Sequence, residues 1–520
     1  MTTNVLVIGT GISGLTFAIK LASISPKTNI VLICKKDLME GNTKYAQGGI
    51  AVVSNFKNDS FEKHMRDTMV AGDFKCKKSV VEFVIKEGVE RLEELINWGA
   101  EFDKNLNNQL DLMKEGGHST KRIVHHKDNS GFEIQRALVK KIKKFKNIKY
   151  LENHLLVDLI TDHHIGKLPK TCYGAYVMSI KDKEIIKINS EITVLSTGGA
   201  GEVFEFTTNP KGATGDGLGA AYRAKINIKN LPYVQFHPTA LQKKVNGETF
   251  LITEAIRGKG AKLTNSKGER FMLDYDKRGE LASRDIVARA IANEMLKENL
   301  ECMYLDATEI DTYTLKKNFP TILKKCNEVG INPLTDKIPV VPAAHYFCGG
   351  IDVDEYSRTN FDRLYAIGEC SHTGLHGSNR LASNSLLESI VFSHRAAVDC
   401  LKKLNKSKLN FSFFKLIPEW NGKNSISNRE LEVINKLRLN LQKIMSSKVG
   451  IFKTVDSLLN AEIELRSLYF EMLELYNKKK LTPQLCELRN LVSISYLMIK
   501  QSIEIKHNSC LLYTSEAADD

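Results

Sequence analysis

A glycine-rich turn begins at the ninth residue of the chain and limits what the chain can fold into. Gly9-Thr10-Gly11-Ile12-Ser13-Gly14 follows the strand-like run Asn4–Ile8 directly and precedes a helical pattern over Leu15–Ala22. Glycines at these spacings permit a tight turn and a close approach of the backbone to a ligand, and the amino end of the next helix attracts a diphosphate. The pattern predicts a βαβ unit in which residues 9–14 contact a dinucleotide.

Later strand ends indicate which dinucleotide is bound. The second predicted strand, Ile30–Cys34, is followed by Lys35 and not by the acidic residue that usually holds a ribose hydroxyl of NAD. Two further strand ends carry glycines, at Thr197-Gly198-Gly199 and at Gly368-Glu369. The missing acid disfavours a simple NAD site, and contacts from several strand ends suit the longer FAD.

The order of these segments predicts a discontinuous architecture. We expect an α/β fold with a Rossmann-like FAD-binding domain in two parts, an inserted α+β capping domain for the substrate, and a C-terminal helical domain. The helical domain is inferred from Leu, Ile and Met at helical spacing over about 425–505. The predicted boundaries are 1–230 and 348–415 for the FAD-binding domain, 231–347 for the cap and 416–520 for the helices.

Composition excludes several classes of protein. With 42% hydrophobic and 26% charged residues, the 520-residue chain resembles folded globular proteins and not disordered ones. We expect a cytoplasmic protein without membrane contact, because its apolar runs are shorter than a membrane span and a strand begins too early for a signal peptide. The ten cysteines form no Cys-x-x-Cys pair, which disfavours a metal site and favours reduced, mostly buried thiols.

The net charge of +13 permits binding to nucleic acid, to a membrane surface or to anionic metabolites. The lysines are spread along the chain, so a solvated basic surface is the favoured interpretation. A flavin-containing protein that binds nucleic acid stays open as an alternative.

Four longer motifs carry a resemblance to a known family. They are Asn42-Thr43-Lys44-Tyr45-Ala46-Gln47-Gly48-Gly49-Ile50-Ala51, Gln235–Ala240, Arg278–Asp285 and Ser383–Glu388. In this order they resemble the succinate dehydrogenase and fumarate reductase flavoprotein superfamily and, within it, the L-aspartate oxidases. The resemblance extends from about residue 4 to about residue 505.

The resemblance implies an FAD-dependent oxidation of L-aspartate to iminoaspartate. The electrons would pass to O2, giving H2O2, or to fumarate. The reaction would be the first step of NAD synthesis through quinolinate, with quinolinate synthase as the pathway partner. A soluble fumarate reductase or succinate dehydrogenase subunit is the closest alternative.

The resemblance also implies cofactor contacts. Membrane-bound dehydrogenases of the superfamily carry a histidine that bonds covalently to the flavin, whereas this chain has Asn42, so FAD would bind non-covalently. Ser385 and Leu386 should begin a helix whose amino end faces the flavin pyrimidine edge. Besides residues 9–14, the implied contacts are Lys35, Asn42, Thr43, Lys44, Tyr45, Ala46, Gln47, Gly48, Gly49, Asp216, Glu369, Ser385 and Leu386.

Glu115 separates the L-aspartate oxidases from the rest of the superfamily. It lies in Lys114-Glu115-Gly116-Gly117-His118-Ser119, which resembles their Arg-Glu-Gly-Gly-His-Ser stretch, whereas the dehydrogenases have no carboxylate there. A carboxylate pairs with a substrate ammonium and repels a plain dicarboxylate. The alternative is a solvated loop glutamate.

A dicarboxylic substrate also needs fixed cations and hydrogen-bond donors. The guanidinium of Arg380 matches a carboxylate, and the resemblance adds His237, Thr253 and His345 to the substrate-binding residues. For each histidine, a structural role is the alternative.

The resemblance assigns the transfer of the substrate proton to Arg284. Because arginine is nearly always protonated, a relay is needed, and Glu254 and Arg257 match the Glu-x-x-Arg of the family. The alternative for these three residues is a salt-bridge cluster that holds the cap.

From Asn508 onward the chain departs from the family, whose members continue with Ser-Arg-Gly-x-His.

Overall fold

The computed structural model describes residues 1–168, 170–406, 411–420, 427–478, 480–505 and 513–514. The departure from the family pattern that begins at Asn508 therefore lies outside the described residues, apart from a two-residue strand. The strands are β1 Thr2–Ile8, β2 Ile30–Ile33, β3 Ile50–Ala51, β4 Leu112–Met113, β5 Ile123–Val124, β6 Ile148–Leu151, β7 His154–Thr161, β8 Cys172–Ser179, β9 Ile185–Leu195, β10 Ile228–Lys229, β11 Val234–Leu241, β12 Lys262–Thr264, β13 Met303–Asp306, β14 Ile338–Phe347, β15 Gly350–Asp352, β16 Leu364–Ala366, β17 Ser371–His372, β18 Phe452–Lys453 and β19 Tyr513–Thr514. The helices are α1 Ile12–Ile24, α2 Phe61–Ala71, α3 Lys78–Asn97, α4 Ser130–Ile142, α5 Asp216–Arg223, α6 Ala255–Gly258, α7 Met272–Tyr275, α8 Arg284–Glu298, α9 Thr312–Asn318, α10 Pro320–Asn327, α11 Asn384–Lys406, α12 Asn428–Lys448, α13 Val455–Lys478 and α14 Pro483–Glu504.

The central sheet is mostly parallel and buried on both faces. Its strand order is β6-β2-β1-β9-β8-β7, and β16 also pairs with β9. The strands β6, β2, β1, β9 and β16 run parallel, whereas β8 and β7 are antiparallel additions. The second half of β1, Val5–Ile8, is apolar and buried, as expected for a parallel strand covered on both faces. The predicted α/β fold is confirmed.

Two apolar cores cover the faces of this sheet. One contains residues of α1, α3, α4 and α11. The other contains residues of α5 and of the C-terminal helices α12, α13 and α14. The C-terminal helical region predicted from the spacing of Leu, Ile and Met is therefore present, and it packs against the strands of the FAD-binding part.

A second, four-stranded antiparallel sheet has the order β11-β14-β13-β12 and packs against α8. It has an apolar core of its own, which includes Ile252, Leu263, Ile291 and Met303. Strand β11 has register shifts at Gln235/Phe236 and at His237/Ala240, and such bulges redirect side chains. This sheet corresponds to the predicted cap, whose boundaries stay a prediction.

The sequence predicts that no segment is long and apolar enough to cross a membrane and that the cysteines are mostly buried thiols. Within the ranges given above, every helix is too short or too polar to cross a membrane. The cysteines of the described residues are free thiols, and all but Cys302 are buried. This agrees with the expectation of mostly buried thiols.

Candidate active site

The glycine-rich turn lies between β1 and α1, where the packing excludes side chains. Gly9 has φ +112°, and a Cβ added to it would lie 2.1 Å from the carbonyl oxygen of Ser196. A Cβ on Gly14 would lie 2.1 Å from the carbonyl oxygen of Gly9. Gly11 precedes α1 without a side-chain cap, and the first turn of α1 carries no acidic residue. The amino end of α1 is therefore suited to a diphosphate.

Residues 42–49 connect this turn to other strand ends. The hydroxyl of Thr43 accepts a hydrogen bond from the backbone N–H of Ile12 at 2.9 Å. Asn42 donates its amide to Glu369 at 3.1 Å, and Gly49 donates its N–H to the Ser383 hydroxyl at 3.2 Å. The sequence motifs that were predicted to bind one cofactor thus lie together at the carboxyl ends of the parallel strands.

Not every predicted cofactor residue points its side chain into this region. Lys44 and Tyr45 both bond to Glu40, each at 3.0 Å, and Tyr45 is exposed. The oxygen of the Gln47 amide, by contrast, is buried and accepts no hydrogen bond from the described residues, so it can accept one from a ligand. The backbone carbonyl of Ala46 accepts from Gly131 at 2.9 Å.

Lys35 and Asp216 form an ion pair with each other. The ammonium of Lys35 lies 2.9 Å from Asp216 and 2.8 Å from Glu487 of α14, and Asn490 donates to Asp216 at 3.0 Å. The pKa of Lys35 is raised because these two carboxylates outweigh the burial that opposes its charge. The structure therefore connects both predicted cofactor residues to the C-terminal helices, and their contact with the cofactor stays a prediction.

Glu369 is a largely buried acid at this edge of the sheet. It accepts hydrogen bonds from the Phe347 N–H at 3.1 Å and from Asn42. Burial raises the pKa of its carboxyl to about 7. Helix α11 begins at Asn384, so Ser385 and Leu386 lie in its first turn as predicted.

These features fit FAD. Within the described residues, the turn before α1 has no side-chain cap, and Gly9 and Gly14 let this turn pack closely against the backbone, where a Cβ would clash. The unpartnered oxygen of Gln47 and the first turn of α11 would receive the flavin end.

A cluster of charged side chains lies next to this region. Arg284, the first residue of α8, donates its Nε–H to Glu254, which directly precedes α6. The guanidinium of Arg257 lies 3.8 Å from the same carboxylate and donates to the Glu280 carbonyl at 2.5 Å. The structure thus brings together the three residues of the predicted relay.

The pKa values of this cluster follow from burial and from the opposite charges. Burial opposes the charge of Arg284, but Glu254 and Glu115 outweigh it and raise the pKa of Arg284. Burial also opposes the charge of Glu254, but Arg284 and Arg257 lower the pKa of this carboxyl. Both groups are therefore ionised at neutral pH.

Arg380 lies on the other side of the cluster. It donates to the Gln235 amide oxygen at 2.9 Å and to the Ser385 hydroxyl at 3.2 Å, and its guanidinium stacks 4.5 Å from the centre of the Tyr346 ring. Its Nε is buried and has no partner in the part of the chain that the structure describes, so one N–H remains for a substrate carboxylate. Burial lowers the pKa of Arg380, so binding of an anion is favoured.

His237 of β11 and His345 of β14 lie side by side, with ring centres 5.6 Å apart. The Thr239 N–H donates to Nδ1 of His237 at 3.3 Å, so the neutral ring carries its proton on Nε2. The Thr208 hydroxyl contacts Nδ1 of His345 at 2.8 Å. Burial and the nearby arginines hold the pKa of both histidines well below the usual value. Both are therefore neutral hydrogen-bonding groups.

Glu115 belongs to the same cluster and is not a solvated loop glutamate. It accepts a hydrogen bond from the Ser383 hydroxyl at 2.5 Å, and the positive charges of Arg284 and Arg380 favour its ionised form. A Cβ added to Gly48 would lie 2.7 Å from its carboxylate, so it also lies beside the predicted cofactor segment. Burial raises the pKa of Glu115 above its usual value.

Thr253 directly precedes Glu254, and its hydroxyl accepts from the Ala255 N–H at 3.5 Å. All five predicted substrate-binding residues are thus placed around one region, and their roles stay a prediction.

Sequence reasoning missed four residues that support this region. Gln235 binds Arg380, and Ser383 binds Glu115. Tyr346, which stacks on Arg380, donates to the buried Glu388 at 2.9 Å. Gln235, Ser383 and Glu388 belong to the motifs quoted above, and Tyr346 directly follows the predicted residue His345. These positions in the sequence were the signal from which the four residues could have been predicted.

Fold and site together define a class of protein, the α/β flavoproteins with an inserted cap. A family profile described as FAD binding domain matches residues 4–386. The L-aspartate oxidase of Yersinia pestis is 42% identical over 521 residues, which cover 99% of this chain and 96% of that protein. The chloroplastic L-aspartate oxidase of Oryza sativa subsp. japonica is 38% identical and covers 98% of this chain and 81% of that protein. The chain belongs to the L-aspartate oxidase family, and its cofactor is FAD.

Solved structures confirm the fold. A mutant of the E. coli quinol fumarate reductase FrdA is 27% identical with a TM-score of 0.88, covering 100% of this chain and 92% of that one. The Sdh1 structure from Mycobacterium smegmatis with UQ1 is 26% identical with a TM-score of 0.83. The match covers 99% of this chain and 89% of that one. The predicted membership of the succinate dehydrogenase and fumarate reductase superfamily is confirmed.

Proposed function

We propose that this protein oxidises L-aspartate to iminoaspartate with FAD and passes the electrons to O2, giving H2O2, or to fumarate. The position of Glu115 is the observation that carries the proposal. A carboxylate beside Arg284 and Arg380 suits a substrate that has an ammonium group between two carboxylates.

The charge of the site supports aspartate over a plain dicarboxylate. With Glu115 ionised to receive the ammonium group, the guanidinium groups of Arg257, Arg284 and Arg380 and the carboxylates of Glu115 and Glu254 leave one net positive charge, because the two histidines are neutral. Aspartate carries one net negative charge and therefore balances the site. Succinate carries two negative charges, so its complex with the site would retain one negative charge without a partner. A buried charge without a partner is unfavourable.

The described side chains suggest how the substrate is held. Arg380 offers its unpartnered Nε–H to one carboxylate, and His237 offers its Nε2–H to a carboxylate from the other side. We assign Thr253 and His345 to the same task because they border the same cluster. Glu115 then receives the ammonium group.

The proton released during oxidation needs a route through Arg284. When bound, FAD supplies the hydride-accepting chemistry. Arg284 is protonated, so it can take up a proton only as it gives one to Glu254, to which its Nε–H already points. Arg257 lies 3.8 Å from this carboxylate and stabilises its charge before the transfer.

We extend the proposal to the cofactor and to the metabolic role. Asn42, whose amide binds Glu369, has no imidazole for a histidyl–flavin bond, so FAD is bound non-covalently. The product would feed NAD synthesis through quinolinate in the cytoplasm, with quinolinate synthase as the enzyme of the next step. The alternative, a soluble fumarate reductase or succinate dehydrogenase, would share Arg284, Arg380 and His237 but would not need Glu115.

The test compares substrates on the purified, FAD-loaded protein. H2O2 formation in air and bleaching of the flavin without oxygen are measured with L-aspartate and with succinate. Turnover of aspartate alone is the expected result. Turnover of succinate alone would contradict the proposal and favour the alternative.

A further inference from the structure

The Glu115 carboxylate sits on a loop that needs an external support. Gly116 and Gly117 follow it, both are exposed, and glycine restricts the backbone least. Support comes from residues 382 and 383, just before α11. His118 contacts the Ala382 carbonyl at 2.9 Å, and the Ser383 hydroxyl donates to Glu115 at 2.5 Å.

Ser383 is held in an uncommon conformation by contacts to another segment. Its φ is +59°, in the left-handed region that residues other than glycine, asparagine and aspartate seldom adopt. Its carbonyl accepts from the Ala51 N–H at 3.1 Å, and its hydroxyl oxygen accepts from the Gly49 N–H at 3.2 Å. Because a backbone N–H can only donate, the hydroxyl hydrogen is left for Glu115.

His118 anchors the other end of the glycine pair. A carbonyl oxygen only accepts, so Nε2 of His118 carries the proton, and Nδ1 accepts from Arg122 at 2.9 Å. Burial lowers the pKa of His118 to about 4, so the ring is neutral. Arg122 is fully buried and held by Asp59 at 2.8 Å and by Asp67 at 2.5 Å. The loop that carries Glu115 is therefore fixed at both ends.

We propose that Ser383 is a positioning residue that orients Glu115 and keeps it ionised, and that it thereby sets the preference for an amino dicarboxylate over a plain dicarboxylate. The proposal rests on the function proposed above. Ser383 acts through Glu115, and its own contact with the substrate is not required.

The groups around Glu115 explain why one hydroxyl has this effect. Arg284 from α8 and Arg380 from the segment before α11 favour the carboxylate, whereas burial and Glu254 from the start of α6 favour the protonated form. Protonation of Glu115 would give the site two net positive charges, which match succinate or fumarate. Loss of the Ser383 hydroxyl removes a hydrogen bond to the ionised form and therefore raises the pKa of Glu115.

The experiment uses two variants that lack the hydroxyl. Ser383→Ala keeps a Cβ in the left-handed conformation, and Ser383→Gly removes the backbone strain as well. The control is Ser495→Ala, the same change at a buried hydroxyl of α14 that has no hydrogen-bond partner among the described residues. For all forms, kcat and KM for L-aspartate are measured against pH, and succinate binding is measured by calorimetry.

We expect both variants to lower kcat/KM for aspartate about 10- to 100-fold, mainly through KM, as for the loss of one hydrogen bond to a charged group. The acid limb of the aspartate profile should move to higher pH, because aspartate needs ionised Glu115. Succinate should bind more tightly and up to a higher pH than in the parent. Ser495→Ala should keep the parent values.

Three results would overturn the proposal. One is an unchanged aspartate-to-succinate preference in both variants. Another is recovery of parent behaviour in Ser383→Gly, since backbone strain alone would then explain the alanine variant. The third is the same shift in Ser495→Ala. A parent that does not oxidise aspartate would refute the proposed function, and the calorimetric comparison would still decide the role of Ser383.

Discussion

Replacement of Glu115 by glutamine tests the charge balance of the site directly. Glu115→Gln keeps the size of the side chain and its ability to accept from the Ser383 hydroxyl, but it removes one negative charge from the cluster. The net charge of the site rises from one to two, so aspartate no longer balances it, whereas succinate does.

The size of the effect follows from Coulomb's law. Two unit charges about 4–8 Å apart interact by about 2–4 kcal/mol at an effective dielectric constant of about 20, which suits a partly buried site such as this one. Each 1.36 kcal/mol corresponds to about a factor of ten. We therefore expect kcat/KM for aspartate to fall about 30- to 1,000-fold and succinate to bind more tightly by a factor of at least about ten.

The assay measures H2O2 formation with aspartate and calorimetric binding of succinate, each across pH, on FAD-loaded protein. The rise of aspartate kcat/KM with pH that is due to Glu115 should disappear in Glu115→Gln. The matched control is Glu309→Gln, an exposed cap carboxylate that pairs with Lys262 at 2.5 Å. An aspartate-to-succinate preference within threefold of the parent would refute the reasoning from charge balance.

Three further predictions concern other groups of the protein. Glu254→Gln should lower kcat about 100-fold or more with little change in KM, because Arg284 loses its proton acceptor; single-turnover flavin bleaching measures this, and a kcat within threefold of the parent would contradict the relay. Asp216→Asn should lower the free energy of unfolding by about 2–3 kcal/mol, because Lys35 loses a partly buried partner; urea unfolding of the FAD-free protein measures this, and an unchanged midpoint would contradict it. The pKa of Glu369, about 7, predicts that the folded protein binds one proton more than the unfolded chain between about pH 4.5 and 7. The stability that the protonated Glu369 contributes is present at the acid end of this window and is lost as pH rises through 7, by about 3 kcal/mol. The difference in unfolding free energy between Glu369→Gln and the parent should therefore vary with pH over this window. A constant difference would contradict the assignment.

Much of the fold could be predicted because its signals are local. The apolar run of β1, the helical spacing of α1 and the glycines between them depend on residues that are neighbours in sequence. The starts of β2 and β16 were likewise predictable from apolar runs and turn residues, whereas the start of α11 was implied by the family resemblance. The order of the strands in the sheet was not predictable in this way, because pairing joins segments that are far apart in the chain.

The candidate site was predictable by residue identity and not by geometry. The motifs contained Glu115, Glu254, Arg284 and Arg380, yet the contacts among them depend on how four separate segments pack. Lys35 illustrates the limit, since its ion pair with Asp216 and Glu487 depends on the docking of α14.

The sequence by itself determined the class of the fold, the cofactor and the family. Periodicity, glycine spacing and the order of motifs are properties of the amino-acid sequence and do not depend on how the chain packs. Only the tertiary structure decided that Ser383 takes a left-handed conformation and donates to Glu115. The physical reason is that a dihedral angle and a protonation state depend on the packing and charges around a residue, and those neighbours come from distant parts of the chain.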